Sequence, residues 1–320
     1  VNDASLGLES ITKPRESPVG RFIPKDGDRP RQVLSVIVPA FDEEATIGQI
    51  LERLCRLSVV KEVVVVDDGS TDATCQKVQE LRLPNVRLIR QERNAGKTAA
   101  VRRGLQEVTG EIVIIQDADL EYDPAEIEDV LRPILQNKAD VAYGSRFLVK
   151  RATRLLYFYH YLANKMLTFL SNLLTNVNMT DIETCYKAFR TPLIKRLPLS
   201  SAGFGMEVEI TALITKTKAR LYEVPISYYG RTYEEGKKIK ALDGLAAIWY
   251  VLYYNLVAPL TPTRRRYIRE ANTFLARLRD GFQPEGAFLS PRDGFSVCKK
   301  DEAGGQGVAD RADYFRHNPV

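Results

Sequence analysis

The sequence predicts an α/β fold: an open, mainly parallel sheet with helices on both faces, followed by amphipathic helices toward the C-terminus. Three observations carry this reading. Short β-branched runs without polar alternation recur along the chain, as strands buried on both faces require. They are separated by helical stretches rather than by hairpin turns. Acidic clusters follow three of the runs, at the strand ends where such a sheet keeps its ligands. At 320 residues, 44% hydrophobic and 27% charged, the chain can bury one large core.

The elements follow in order. Residues 1–31 are polar and rich in Pro, Gly and charge, a flexible lead-in without the apolar core of a secretory signal. The first strand falls at 33–38 and runs into Pro39-Ala40-Phe41-Asp42-Glu43-Glu44. The second, at 62–66, is followed by Asp67-Asp68-Gly69-Ser70-Thr71-Asp72, where Asp72 is placed to cap a helix over 73–81. The third is at 86–89, and Asn94 precedes a helix over 97–107. The fourth, at 112–115, meets Gln116-Asp117-Ala118-Asp119-Leu120-Glu121, with Asp123 as N-cap of a helix that starts at Pro124. A fifth strand is expected at 139–143.

Beyond residue 150 the pattern changes. Over 154–176, His160, Asn164, Thr168, Ser171 and Thr175 form a narrow polar stripe at helical spacing on a mostly apolar surface. Asn164, Lys165 and Asn172 make this a poor spanning helix; its apolar face suits either the sheet or a lipid surface. A second apolar stretch, 244–260, carries Trp249, Tyr250, Tyr253 and Tyr254 and meets Pro262 and Arg264-Arg265-Arg266, the pattern of an interfacial segment. One more helix is expected over 267–279, and the Gly-rich, charged stretch after it reads as disordered. The domain plan is a lead-in at 1–31, a folded domain at 32–258, and a basic linker, helix and tail at 259–320.

Composition narrows the function classes. A formal net charge of +5 is mild for this length and gives no argument for nucleic acid. Cys55, Cys75, Cys185 and Cys298 are scattered without a metal-ligand spacing, which points to a reducing cytoplasm. No Gly-x-Gly-x-x-Gly follows the first strand, against a dinucleotide-dependent dehydrogenase.

The three acidic clusters share one rim of the predicted sheet and so make one site. A strand sends alternate side chains the same way, so Asp117 and Asp119 can converge on one cation, with Glu121 extending the row. Hard carboxylate oxygens suit Mg²⁺ or Mn²⁺, and such an ion would hold a diphosphate. Helix capping explains one such cluster but not three on the same edge.

Taken as an ordered series, Val38-Pro39-Ala40-Phe41-Asp42-Glu43, Val66-Asp67-Asp68-Gly69-Ser70-Thr71-Asp72, Asn94-Ala95-Gly96-Lys97 and Asp117-Ala118-Asp119 resemble the family 2 glycosyltransferases, whose nucleotide-sugar domain is the GT-A fold. Within that family the resemblance is to polyprenyl-phosphate sugar transferases typified by dolichol-phosphate mannose synthase, and it spans residues 33–258. Gly144-Ser145-Arg146, Asp181-Ile182-Glu183-Thr184-Cys185-Tyr186-Lys187, Phe204-Gly205-Met206-Glu207 and Arg231-Thr232-Tyr233-Glu234-Glu235-Gly236-Lys237-Lys238 look like its bacterial branch. The resemblance implies that Pro39, Phe41 and Glu43 line the nucleoside pocket and that Asp68 accepts a base N–H, which suits uracil or guanine. It further implies that Asp117 and Asp119, with Ala118 between them and Glu121 as a further ligand, hold a metal on the diphosphate, assisted by Lys97.

The acceptor decides the rest of the chemistry. A polyprenyl phosphate is already ionised near neutral pH, so it needs cations to position it rather than a strong base. Arg146, Lys187, Arg231, Lys237 and Lys238 are the candidates, and Arg146 joins Asp119 among the catalytic groups. A hydroxyl on a soluble glycan, lipid or protein needs a base instead, for which Asp181 or Glu183 is the natural choice. Direct attack would invert the anomeric centre in either case, an implication of the resemblance. The expected activity is therefore metal-dependent, inverting transfer of a hexose from a UDP- or GDP-sugar to a polyprenyl phosphate; a non-catalytic nucleotide-sugar-binding protein is the reading from another class. With no apolar run of spanning length after Arg264, the expected location is cytoplasmic and peripheral at the inner face of an anionic membrane.

Overall fold

The computed structural model of the protein describes residues 32–148, 154, 157–201, 205–231 and 241–280. The expected lead-in at 1–31, Lys237, Lys238 and the tail beyond 280 lie outside the described residues. Seven strands form one sheet: β1 (Leu34–Ala40), β2 (Val60–Asp67), β3 (Val86–Arg90), β4 (Ile112–Ile115), β5 (Val141–Ser145), β6 (Lys187–Arg190) and β7 (Leu221–Pro225). Their order is β3-β2-β1-β4-β6-β5-β7. All neighbours run parallel except β6, which is antiparallel to both β4 and β5.

The β-branched runs behave as their composition dictates. Val36, Ile37 and Val38 of β1 and Val63, Val64, Val65 and Val66 of β2 are fully buried, which requires cover on both faces of the sheet. Each such side chain contributes roughly 1.5–3 kcal/mol through the area it removes from water. The cover comes from crossover helices. In α1 (Ile47–Cys55) the buried residues Ile47, Ile50, Leu51 and Leu54 form one helical stripe. After α2 (Thr74–Glu80), α3 (Lys97–Glu107) lies so close on the sheet that a Cβ at Gly104 would sit 2.7 Å from Ile37 Cγ2. In α4 (Ile127–Leu135) the stripe recurs as Ile127, Val130, Leu131 and Ile134.

The path of the chain positions the site. From β1 it moves outward through β2 to β3, then returns to place β4 on the other side of β1. The crevice beyond the C-terminal ends of β1 and β4 lies where the winding reverses, and the polar clusters flank it.

The structure departs from the sequence expectations in three places. Strands β6 and β7 lie outside the strands expected, because Lys187–Arg190 contains no β-branched residue and β7 is amphipathic and only half-buried. The helix over 97–107 does not use Asn94 as its cap: Gly96 occupies that position, at φ +90°, and the loop amides ahead of it are held by a distant carboxylate. The basic run at 264–266 is not linker. It lies in α9 (Pro262–Asp280), which buries Tyr267, Ala271 and Leu275, and Arg264 pairs with buried Glu209 at 2.6 Å. The compact unit consequently extends to Arg279, beyond the boundary expected at 258.

The sequence leaves the apolar face of α5 (Phe158–Thr175) open between the sheet and the surface, and the structure turns much of that face outward. Its polar stripe faces inward, with Thr168 3% and Ser171 1% exposed, whereas Tyr159 is 81% and Phe169 and Leu173 are each 68% exposed. The reason is local hydrogen bonding. Thr168 Oγ1 accepts the Ile182 N–H, and the Asn172 side chain both donates to the Met179 carbonyl and accepts its N–H. Buried backbone groups of the 179–182 loop need partners, and the polar stripe supplies them. Beyond α6 (Thr191–Lys195) and α7 (Gly205–Ile214), α5 packs against α8 (Ala241–Leu252) and the π-helical turn at Tyr253–Val257.

Candidate active site

The loops after β1 and β2 are laced together by side-chain hydrogen bonds. Asp42 Oδ1 accepts the Thr71 N–H at 2.8 Å, Ser70 Oγ accepts the Asp42 N–H at 3.0 Å, and Thr74 Oγ1 accepts the Glu43 N–H at 2.9 Å. Asp72, expected as the cap of α2, lies one residue before the Ala73 N-cap; its carboxylate accepts the Thr74 N–H at 2.9 Å and the Glu44 N–H at 3.1 Å. This lacing fixes the loop that carries Pro39, Phe41 and Glu43, all half-buried.

Asp68 is almost fully buried and clamps the loop before α3. Its Oδ1 accepts Gln91 Nε2 at 2.5 Å and the Ala95 N–H at 2.9 Å, and its Oδ2 accepts the Gly96 N–H at 2.7 Å. Three of the roughly four acceptor directions of a carboxylate are thus taken within the chain. Gly69 makes this closeness possible: at φ +76°, a Cβ there would lie 2.8 Å from the Arg93 carbonyl carbon.

The β4 loop brings its carboxylates together with cations from elsewhere. Lys97 Nζ lies 2.8 Å from Asp117 Oδ1 and 3.2 Å from Glu207 Oε1 on α7. Asp119 Oδ2 lies 2.8 Å from an Arg231 guanidinium nitrogen. Glu121 accepts the Tyr228 O–H at 2.9 Å on one oxygen and the Arg231 N–H at 2.8 Å on the other. Burial first, then the negative charges of Asp117 and Glu121, push the Asp119 carboxyl up to about 7 against the pull of Arg231. Ala118, between the two aspartates, is buried.

Asp117, Asp119 and Glu121 are therefore not gathered into a ready-made triad, and no group of three or more metal-ligating side chains is preassembled among the described residues. The physical reason is mutual repulsion: each crowded carboxylate draws its own donor or cation. The donor set still fits a hard divalent ion. Mg²⁺ and Mn²⁺ sites of this kind use one or two carboxylates and complete their shell with water and substrate phosphate. Lys97 and Arg231 already mark both aspartates as places that require positive charge.

On the other side of the crevice, Arg146 grips Asp181. Nε and one terminal nitrogen donate to the two carboxylate oxygens at 2.7 Å each, and the Arg146 backbone N–H adds a third bond at 3.1 Å. Burial works to raise the Asp181 carboxyl, but Arg146 outweighs it and holds the group below the usual carboxylate range. The guanidinium lies over the Tyr228 ring, 5.1 Å from its centroid, so Tyr228 joins the Arg146 and Glu121 sides of the site.

Two expected residues sit differently. Lys187 is buried in β6; its ammonium donates to the Ile182 and Thr184 carbonyls and lies over the Tyr143 ring, so it points into the core and not toward an acceptor. Glu183 has one buried oxygen without a hydrogen-bond partner, and burial together with Glu207 raises its carboxyl to about 8. Tyr228, Gln91 and Glu207 were given no role from the sequence. Of these only Glu207 stood in a recognised motif; the other two are joined to the site by contacts between residues distant along the chain.

Residues 35–197, just over half of the chain, match glycosyl transferase family 2, and the chain belongs to that family. It is 30% identical over 210 residues to a dolichol-phosphate mannosyltransferase of Pyrococcus furiosus, an alignment covering 64% of this chain and 58% of that protein. It is 28% identical over 217 residues to a polyprenol monophosphomannose synthase of Mycolicibacterium smegmatis, covering 63% of this chain and 80% of that one. A dodecaprenyl-phosphate galacturonate synthase of Rhizobium johnstonii is 31% identical over 173 residues, covering 52% of this chain and 50% of the relative. The chain thus spans little more than half the length of two of these relatives. The fold is shared with glucosyl-3-phosphoglycerate synthase from Mycobacterium tuberculosis, solved with Mn²⁺, UDP and phosphoglyceric acid, at a TM-score of 0.54 and 20% identity over 71% of this chain and 79% of that one.

Proposed function

We propose that this family 2 glycosyltransferase moves a hexose from a UDP- or GDP-sugar to a polyprenyl phosphate with inversion at the anomeric carbon. The observation that carries the choice of acceptor is the fork between Arg146 and Asp181. With both oxygens taken and its carboxyl held low, Asp181 is a poor proton acceptor. Its role is to fix a guanidinium in the crevice, and a phosphate acceptor calls for a fixed cation and no strong base.

In this reading Pro39, Phe41 and Glu43 line the nucleoside pocket, and Asp68 offers its remaining acceptor direction to a base N–H. Asp117 and Asp119 would hold the divalent ion, while Glu121 serves first to anchor the 228–231 segment. The ion, when bound, neutralises charge that develops on the departing nucleoside diphosphate. Lys97 orients Asp117 and adds positive charge beside the phosphates. Arg146 turns an acceptor phosphate oxygen toward the anomeric carbon, with Asp181 and the Tyr228 ring holding the guanidinium in place.

A second reading keeps the donor and takes a hydroxyl acceptor, with Glu183 as base. Its support is the raised carboxyl and unpartnered oxygen of Glu183. Transfer from radiolabelled UDP- and GDP-sugars separates the two. Label that passes into organic solvent only when a polyprenyl phosphate is supplied supports the first, and transfer confined to water-soluble or hydroxyl acceptors overturns it.

The same proposal places the enzyme at an anionic membrane surface. No helix among the described residues is long and apolar enough to cross a membrane. The outward apolar face of α5, exposed Trp249 on the neighbouring α8, and exposed Arg265 and Arg269 on α9 support peripheral docking.

A further inference from the structure

Arg231 stands where a divalent ion would be needed. One guanidinium nitrogen lies 2.8 Å from Asp119 Oδ2 and 3.9 Å from Glu43 Oε1, and Nε lies 3.5 Å from Glu121 Oε1. The guanidinium donates one hydrogen bond, from its terminal nitrogen to Asp119, whereas the buried Nε donates none and meets Glu121 by charge alone. Carboxylates from the β1 and β4 loops thus share one side-chain cation. Its backbone is anchored separately, through the Arg231 N–H on Glu121 and the Tyr229 N–H on the Glu121 carbonyl, both within 2.9 Å. The side chain can therefore change partners without moving its stem.

A guanidinium and a divalent ion compete for Asp119, whereas a nucleoside diphosphate offers a guanidinium new oxygens that it can grip bidentately. We propose that Arg231 is an internal competitor of the divalent ion. In the free enzyme it neutralises Asp119, Glu121 and Glu43 and keeps metal affinity low. When a nucleoside diphosphate binds, the guanidinium passes from Asp119 to the diphosphate and the metal takes its place, so metal and nucleotide bind with positive coupling. By linkage each then raises the other's affinity by the same factor. This inference rests on the metal-assisted reading above and adds the order in which the charges are exchanged.

The test is Mn²⁺ binding to the full chain, followed by the electron paramagnetic resonance of the free ion, without nucleotide and with UDP or GDP. Wild type, R231Q and R231K are compared. Without nucleotide, R231Q should bind Mn²⁺ about tenfold more tightly than wild type, a typical size for such coupling. R231K should fall between them, because lysine keeps the charge and loses the fork, and it carries the comparison if R231Q does not fold. The gain in Mn²⁺ affinity on adding nucleotide should be larger in wild type than in either variant. Nucleotide-free Mn²⁺ affinity that is unchanged or weaker in the variants overturns the competition while leaving the metal reading in place. Absence of Mn²⁺ binding in every protein, even with UDP or GDP, overturns both.

Discussion

Arg146 and Asp181, thirty-five positions apart, meet fork to fork, with both N–O distances at 2.7 Å and Asp181 fully buried. Removing the charge of Asp181 leaves a guanidinium that is mostly buried and unpaired. D181N should lose about 3 kcal/mol of stability, as expected when one partner of a buried pair is removed. Urea unfolding measures that loss. If Arg146 positions the acceptor, R146K, which keeps the charge but not the fork, should raise KM for a polyprenyl phosphate more than KM for the donor.

D119N should abolish transfer without weakening the fold. Asp119 is pushed up to about 7 by burial and by the adjacent carboxylates, so its ionised form is held at a cost to stability. Replacing it with a neutral isostere relieves that repulsion, and the Tm should hold or rise. Turnover should fall by about three orders of magnitude, the scale of losing a key electrostatic group. Near-normal activity would remove Asp119 from the proposed metal site.

Acid sensitivity should centre in part on Asp140. Burial acts to raise this carboxyl, but hydrogen bonds from Arg220 and the charges of Arg220 and Arg190 outweigh it and hold the group below its ordinary range. As pH falls, the unfolded chain therefore takes up this proton first. The stabilisation is complete above about pH 4 and is lost as pH drops through the lower native value. Urea unfolding across that range should show the advantage of wild type over D140N shrinking toward low pH. A constant difference would exclude the ion pair as its source.

G69A should cost about 2 kcal/mol, because the left-handed backbone disfavours any side chain and the new Cβ would press on the Arg93–Asn94 backbone. Calorimetry gives the loss. Displacement of that backbone should also loosen the Asp68 clamp, so UDP or GDP binding by isothermal titration should weaken in the same variant.

The outward face of α5 predicts a surface effect separable from folding. The double variant F169E/L173E alters two exposed side chains, so the Tm should stay near that of wild type. Flotation with anionic vesicles should fall at least about tenfold, since each buried apolar side chain contributes roughly 1.5–3 kcal/mol. Unchanged flotation would detach α5 from membrane docking.

What was legible in the chain followed from local rules. Runs such as Val63 to Val66 declare a doubly covered strand, and the acidic clusters after β1, β2 and β4 declare the rim on which a parallel sheet places its site. The family followed from the ordered motifs for the same reason: each is a contiguous stretch whose chemistry can be read without knowing its partners. The α5 stripe shows where such reading stops. Its amphipathic period is plain, but its polar side turns inward, because the 179–182 loop takes its hydrogen-bond partners from this helix just before it, an arrangement that depends on how the chain turns back after Thr175.

By itself the sequence determined the alternating α/β plan, the rim that carries the carboxylates and the membership of the family. Only the tertiary structure decided which cation meets which carboxylate: Lys97 with Asp117, Arg231 with Asp119, Arg146 with Asp181, and Lys187 turned into the core. Strand and helix periods are properties of neighbouring residues. The state of a buried charge depends on groups brought within a few ångströms by the fold, and those groups lie as far as 112 positions away along the chain.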